Sequence, residues 1–149
     1  KLDKELDHGP VISQKEIEIK NVDTHASLIE KLGILGADLL IESINGYING
    51  TLKPNPQNHK EATYTQKVEK NHGQIDINNP PEKTKLDLMI RSYFPWPTVW
   101  FEHRGKTFKF LPENKIQPEG KKPMYIKEFL NGYPQFKKLG QNIFTDSLK

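Results

Sequence analysis

One short segment near the start of the chain could present a chemically active group. Asp7 lies in residues 5–10, which have the sequence ELDHGP. Gly9 frees the backbone to turn, and Pro10 fixes φ and removes a hydrogen-bond donor, so neither a strand nor a helix can continue here. The sequence therefore predicts that Asp7 is exposed on a turn and offers a carboxylate, a group used in proton transfer. Composition alone favours a solvated turn before an edge strand.

Other residues that could do chemistry are few. The chain contains no cysteine, which excludes disulfides, thiolate catalysis and Cys-based zinc sites and is the usage expected in a reducing cytoplasm. The histidines lack metal-ligand spacing, so the sequence predicts no metal site. His8 stands beside Asp7, but adjacent residues on an extended turn generally point apart, and we expect no catalytic role for it. The five histidines are His8, His25, His59, His72 and His103.

Charge is unevenly distributed along the 149 residues, whose net charge is +3. Residues 1–50 hold 5 Lys/Arg and 9 Asp/Glu, a balance of −4, whereas residues 51–149 hold 17 and 10, a balance of +7. A basic excess in the later part is expected if that part contacts a polyanion, although many non-binding domains are equally basic. The longest apolar runs fall far short of a membrane span, and no signal-peptide pattern opens the chain.

The elements that must position the turn at residues 5–10 follow it directly. Residues 11–14 and 16–19 are predicted to be strands, the second with a strict period of two. Asp23-Thr24 is a good N-cap pair for a helix whose apolar residues recur every 3–4 positions as far as Gly50. An amphipathic helix of this length needs a sheet to cover, and one or two strands are too few. We interpret this front part as the closing β-α portion of a larger α/β layer.

The rest of the chain is predicted to be a linker and a small β-rich domain. Two prolines and a run of polar residues exclude regular structure from the linker. The elements predicted beyond it are short strands at 63–65 and 74–77, a helix beginning near Pro80, a hairpin of 99–102 with 107–111, and a short helix near 125–130. A small curved sheet or barrel capped by one helix is the natural package. Most of the aromatic residues are predicted to lie in its core: Phe94, Trp96, Trp100, Phe101, Phe108 and Phe110.

Taken in order, these features resemble a known family. Residues 5–10, the capped helix with GADLL at 36–40, and residues 50–57 resemble the end of the folate-dependent formyltransferase catalytic domain. Three later motifs, ATY at 62–64, GQID at 73–76 and IRSYFPWP at 90–97, resemble the C-terminal domain of methionyl-tRNA formyltransferase. The resemblance spans roughly residues 1–111, and the order and spacing of the motifs together make it specific.

The resemblance implies a division into domains. Residues 1–50 would be an α/β remnant of a Rossmann-like formyltransferase domain, and residues 51–61 the linker. Residues 62–149 would be the basic C-terminal domain, a small β-barrel similar to the oligonucleotide-binding fold with a capping helix. Within it, residues 112–149 are an extension to which the resemblance assigns no role.

The resemblance also implies an activity, the transfer of a formyl group from 10-formyltetrahydrofolate to the amino group of initiator methionyl-tRNA. The family's catalytic trio is an Asn, a His and an Asp. Asp7 matches the Asp, and Leu6 and Asp7 match positions that contact the folate substrate. The Asn and the His have no counterpart in this sequence. We therefore expect the chain alone to be inactive or dependent on a missing N-terminal catalytic part, and not to bind the folate tightly.

In that family the C-terminal domain helps to place the acceptor arm of the tRNA. Lysine and arginine neutralise phosphates, so basic residues on the linker and on the hairpin are the candidates for contact with the tRNA. Each of them alone also fits a solubilising surface charge. The candidates are Lys53, Lys60, Arg104, Lys106 and Lys109.

The sequence is also compatible with two other functions. One is a formyltransferase that acts on an amino-sugar nucleotide, which shares both halves of the architecture but needs no basic RNA face. The other is a non-catalytic RNA-binding or partner-binding module in which Asp7 is merely a turn residue. In each case the expected location is the cytoplasm, and the sequence does not fix the oligomeric state.

Overall fold

The structure of the chain, a computed structural model, describes residues 3–137. The chain divides into two compact units, Lys1–Gln66 and Lys67–Lys149. None of the helices in the described part combines the length and the apolar content needed to cross a membrane.

The first unit is built around one long helix, α1 (His25–Ile48). Thr24 caps it: the Thr24 hydroxyl accepts a hydrogen bond from the Ser27 N–H at 3.2 Å, and the Ser27 hydroxyl accepts one from the Thr24 N–H at 3.0 Å. This reciprocal cap satisfies two N–H groups that the start of a helix would otherwise leave unpaired. The helix is followed by Gly50, whose φ of +74° suits glycine. The predicted start and end of the helix are confirmed.

Asp23, immediately before the cap, is a buried carboxylate that anchors the start of α1. It accepts hydrogen bonds from the Lys20 N–H at 2.8 Å and the Ser27 hydroxyl at 3.2 Å, and it pairs with the ammonium group of Lys31. The hydrogen bond from Lys31 is the main reason why the pKa of Asp23 lies below its ordinary value, and the bond from the Lys20 N–H acts in the same direction. The turn and the helix are therefore held together by one charged group.

The two strands predicted before α1 are wrong. Residues 11–14 contribute only an isolated antiparallel bridge, between Val11 and Asn55. Residues 16–19 belong to no strand. An alternating sequence becomes a strand only where a neighbouring segment supplies hydrogen-bond partners, and no described segment does so here. As a result the described residues of the first unit form no sheet for α1 to cover, and Ser43 is the one residue of α1 that is buried.

The second unit contains helix α2 (Lys83–Tyr93), a four-stranded antiparallel sheet and helix α3 (Ile126–Gly132). The strands run in the order β1-β2-β3-β4 and comprise β1 (Val99–His103), β2 (Lys106–Leu111), β3 (Lys115–Pro118) and β4 (Met124–Tyr125). Arg104 and Gly105, between β1 and β2, have φ of 51° and 71°, as a tight two-residue hairpin turn requires. The predicted hairpin, the helix after Pro80 and the helix near residues 125–130 are confirmed.

The hydrophobic core lies on one face of this sheet. Phe101 on β1 is opposite Phe108 on β2, and both side chains are buried. Helix α3 and the turn after it add Phe129 and Phe136, whose rings pack against Phe108 at centroid distances of 5.8 and 5.6 Å. The strands β3 and β4 and these two core aromatics were not predicted from the sequence.

The presence of both helices and a sheet confirms the predicted α/β composition. The sheet is open among the described residues, so the closed, oligonucleotide-binding-like barrel is not confirmed. Residues 63–65, predicted as a strand, belong to none. The strand predicted at 74–77 is reduced to a parallel bridge in which the Ile75 N–H donates to the Trp100 carbonyl at 2.9 Å. The chain then turns away because the Asp76 carboxylate accepts the Asn78 N–H at 2.9 Å.

Candidate functional site

Asp7 lies on a surface turn of the first unit, and its predicted exposure is confirmed. Its φ of 58° falls in the left-handed region, which costs a residue other than glycine of order 1 kcal/mol or more and therefore needs support from the surroundings. The neighbouring Leu6, predicted with Asp7 to contact the folate, is 89% exposed.

Gln57 provides that support. Its side-chain Nε2 donates hydrogen bonds to the carbonyl oxygens of Asp7 at 2.8 Å and Gly9 at 2.6 Å. Just beyond, Val11 and Asn55 exchange backbone hydrogen bonds of 2.9 and 2.7 Å. Residues 55–57, part of the predicted linker, therefore fix the backbone on the C-terminal side of the Asp7 carboxylate. This contact was not predicted from the sequence.

The Asp7 turn forms one wall of a large cavity. The cavity measures about 1010 Å³, and residues 55–59 and 61–65 supply much of the rest of its lining. Polar side chains dominate the lining, and Asp7 and Glu61 are the carboxylates in it. The wall thus offers hydroxyl, amide and carboxylate groups to a ligand of several hundred Å³. The polar side chains at the wall include Asp7, Ser13, Gln14, Asn58, Glu61, Thr63 and Tyr64.

Two histidines that are fifty-one positions apart meet at this cavity. The rings of His8 and His59 stack with their centroids 3.9 Å apart and their planes within 7°. His8 Nδ1 also lies 3.4 Å from a carboxylate oxygen of Glu5. This pairing links the Asp7 turn to residues 55–65 a second time. Residues 3–137 include no group of three or more His, Asp or Glu side chains arranged to hold a metal ion.

The five basic residues predicted to contact tRNA are all exposed, but they are divided between the two units. Lys53 and Lys60 belong to the first unit. Arg104 lies in the turn of the β1-β2 hairpin, Lys106 begins β2, and Lys109 lies on β2 opposite Trp100. None of the five forms an ion pair with a carboxylate of the described residues, so their charges are available to a ligand.

The aromatic residues divide more sharply than the sequence analysis expected. Phe101, Phe108 and Phe110 are buried in the core, as predicted. Trp100 is buried too, so the prediction that most of these aromatic residues are buried is confirmed, and Trp96, which is 57% exposed, is an exception. It lies in a loop rather than a strand, and alternation therefore gave no information about its direction. With Trp100 it lines a second cavity of about 420 Å³ within the second unit, which the sequence analysis also missed.

No family model matches the chain, but several curated proteins that share one name are similar to it. A protein of Thermodesulfovibrio yellowstonii named methionyl-tRNA formyltransferase is 32% identical over 161 aligned positions, covering 88% of this chain and 51% of that protein. Proteins of the same name from Streptococcus thermophilus and Lactobacillus gasseri are 31% and 30% identical, covering 87% and 96% of this chain. The chain spans about half the length of the curated relatives it matches.

These similarities place the chain among relatives of the formyltransferases. More particularly, it is related to the methionyl-tRNA formyltransferase family, and the resemblance predicted from the motifs is confirmed. The matched share of the chain is larger than residues 1–111 alone would give, so the similarity extends into the part to which the motifs assigned no role. Coverage of about half of each relative is consistent with a C-terminal part of such a protein.

Proposed function

We propose that this chain is the C-terminal portion of a methionyl-tRNA formyltransferase, which transfers a formyl group from 10-formyltetrahydrofolate to the amino group of methionyl-tRNA in the cytoplasm. Residues 1–50 would complete the catalytic domain, residues 51–61 would be the linker, and residues 62–149 would form the basic, oligonucleotide-binding-like domain. The observation that carries the proposal is the position of Asp7, the residue that matches the family's catalytic Asp, on the wall of a large cavity.

Asp7 would serve proton transfer. Formyl transfer makes a carbon–nitrogen bond to the methionyl amine and breaks the one to the folate, and the attacking amine must lose a proton. An exposed carboxylate held on a cavity wall can accept that proton or pass it on through water. The folate supplies the formyl group, and Leu6 and Asp7 would contact it. The family's Asn and His motifs have no match here, so this chain supplies only part of the machinery.

The remaining part would come from the half of the relatives that the chain does not match. The apolar side chains of α1 support this, because an amphipathic helix is stable in water only when its apolar stripe is covered. A catalytic domain with its own sheet would cover the stripe and would bring the missing catalytic groups to Asp7. The exposed apolar residues of α1 include Ile29, Leu32, Ile34, Leu40, Ile41, Ile44 and Ile48.

The second unit would contact the tRNA. It holds 15 Lys/Arg and 9 Asp/Glu, a balance of +6, whereas the first unit holds 7 and 10, a balance of −3. Arg104, Lys106 and Lys109 would neutralise phosphates from the hairpin, and Lys53 and Lys60 would do so from the linker. Because such contacts release counterions, binding of tRNA should weaken steeply as the salt concentration rises.

The test is a reconstitution. The chain is mixed with an N-terminal fragment of the Streptococcus thermophilus relative, 10-formyltetrahydrofolate and methionyl-tRNA, and formylmethionyl-tRNA is measured. We expect product only when both parts are present. Asp7→Asn should lower the rate about 10²- to 10⁴-fold, the usual contribution of a general acid or base. Asp3→Asn is the matched control, since Asp3 is an exposed carboxylate of the same unit outside the cavity wall.

Two results would contradict the proposal. Full activity of the Asp7→Asn variant would remove Asp7 from the catalytic site. Formylation of an amino-sugar nucleotide in place of methionyl-tRNA, together with tRNA binding that is weak at low salt, would favour the other branch of the formyltransferases.

A further inference from the structure

The second unit has a groove on the face of its sheet opposite the core. We call it the tryptophan groove and define it by Lys70, Trp96, Trp100, Lys109, Gln117 and Glu119. Its volume is about 420 Å³, enough for one nucleotide-sized group but not for a folded segment. All of these residues lie in one compact unit, so the groove does not depend on how the two units are placed.

Trp96 is presented at this groove by a braced loop. Trp96 is 57% exposed, although a large aromatic side chain gains free energy from burial. The loop is fixed by Thr98, whose N–H donates to the Tyr93 carbonyl at 2.8 Å and whose hydroxyl donates to the Pro95 carbonyl at 2.7 Å. Proline on each side of Trp96 restricts the backbone further. An aromatic face is therefore held in water at little further entropic cost for a ligand that stacks on it.

The rest of the groove combines a second tryptophan with positive charge. The Trp100 indole N–H donates to the Lys70 carbonyl at 3.1 Å, and the Lys70 ammonium group lies 5.5 Å from the centre of the Trp100 ring. Lys109 is the cross-strand partner of Trp100. Neither lysine forms an ion pair with a carboxylate of the described residues. The carboxylate of Glu119 accepts the Thr107 N–H at 2.8 Å, which partly satisfies it.

We propose that the tryptophan groove binds one unpaired nucleotide of a single-stranded RNA segment, with its base stacked on Trp96 and an adjacent phosphate neutralised by Lys70 and Lys109. Stacking on an aromatic ring beside lysines is the general way in which proteins hold unpaired bases. The groove carries two lysine charges, Lys70 and Lys109, and one carboxylate, Glu119, that already accepts a hydrogen bond. This excess of positive charge favours a phosphate-bearing ligand over a neutral proline-rich peptide. The proposal rests on the RNA-binding role in the proposed function and names a site for it.

The chain contains two tryptophans, so the stack can be followed directly by fluorescence. The full chain is titrated with a single-stranded RNA of about eight nucleotides, within the usual site size of such proteins, and with an abasic strand of equal length. We expect the intact RNA to quench the emission of the exposed Trp96 and the abasic strand to bind more weakly without quenching. Trp96→Ala should weaken binding of the intact RNA about 5- to 150-fold, with little effect on the abasic strand.

Tyr125→Ala is the matched control. Tyr125 is an aromatic residue of the same unit with nearly the same exposure, 55%, and Lys115 lies 5.4 Å from its ring centre, but it is outside the groove. This variant should bind RNA as the wild type does. Lys109→Gln should weaken binding of both the intact and the abasic strand. It should also reduce the slope of the logarithm of the binding constant against the logarithm of the salt concentration by about one. Thermal unfolding of each variant shows whether the unit is still folded, and Trp96→Phe, which keeps an aromatic face, should recover most of the affinity.

Several outcomes would overturn the proposal. Equal affinity for the intact and abasic strands would mean that phosphates alone are bound. If Trp96→Ala bound intact RNA as tightly as the wild type does, stacking on Trp96 would likewise be excluded. After either result, binding of tRNA by the wild type would still support the proposed function. Quenching by a proline-rich peptide and not by RNA would assign the groove to a protein partner. Failure of the wild type to bind methionyl-tRNA at low salt would count against the proposed function itself.

Discussion

Replacing Gln57 by Glu should loosen the Asp7 turn and leave the rest of the chain unchanged. The Gln57 side chain donates both of the hydrogen bonds that reach the carbonyls of Asp7 and Gly9. Glutamate has the same length, but its ionised carboxylate has no hydrogen to donate and repels the two carbonyl oxygens. The substitution therefore removes the two contacts with almost no change in packing.

The expected size follows from the position of these bonds. An intramolecular hydrogen bond contributes about 0.5–1.5 kcal/mol net. Both bonds are exposed, so water replaces them when they are lost, and the lower figure applies to each. Their sum, about 1 kcal/mol, should increase the open population of the turn about fivefold.

Amide hydrogen exchange measures this opening. The N–H groups of Val11 and Asn55, which bond to each other's carbonyls, are the reporters because they lie beside the Gln57 contacts. Their exchange should be about fivefold faster in Gln57→Glu, while the amides of β1 and β2 keep their rates. Gln66→Glu is the control, since Gln66 is exposed and makes no hydrogen bond in the described structure. Unchanged exchange at Val11 in Gln57→Glu would refute the claim that Gln57 positions the turn.

Two further substitutions test the fold. Gly73→Ala should destabilise the second unit by roughly 1–3 kcal/mol or more, because an added Cβ would clash with the Thr98 carbonyl oxygen. Urea unfolding followed by tryptophan fluorescence measures this loss. An equal unfolding midpoint for Gly73→Ala and for Gly132→Ala, whose added Cβ would meet no neighbouring atom, would contradict the prediction. The pKa of Asp23 is lower in the folded chain than its ordinary value of 3.8. The ionised carboxylate therefore stabilises the fold fully above pH 3.8, and this stabilisation is lost as the pH falls through the lower pKa of the folded state. Asp23→Asn should reduce the helicity of α1 at neutral pH and flatten its acid dependence by circular dichroism, and an unaltered pH profile would show that Asp23 does not anchor the helix.

Features encoded by neighbouring residues could be predicted from the sequence. The Thr24 cap and the turn at Arg104-Gly105 use residues within a few positions of one another, and both are found as expected. The strand at 16–19 was predicted wrongly, because alternation shows what a strand would look like but not whether a partner segment is present. The strands β3 and β4 were missed since they are short and each lies at a proline-containing segment.

The candidate site shows the same division. The exposure of Asp7 follows from Gly9 and Pro10 beside it, and it was predicted correctly. Its support by Gln57 joins residues about fifty positions apart, which no local pattern reveals. The direction of Trp96 is set by the loop bonds of Thr98, and these too are invisible in a periodicity that applies to strands.

The distance along the chain between Gln57 and Asp7 also bears on the order of folding. In the second unit each strand pairs with the next one in the chain, so these contacts close short loops and are expected early in folding. The contact between Gln57 and Asp7 closes a loop of 50 residues that includes all of α1, and the entropy of closing it must be overcome before any bond forms. The Asp7 turn should thus acquire its final conformation late, after the helix that lies within this loop.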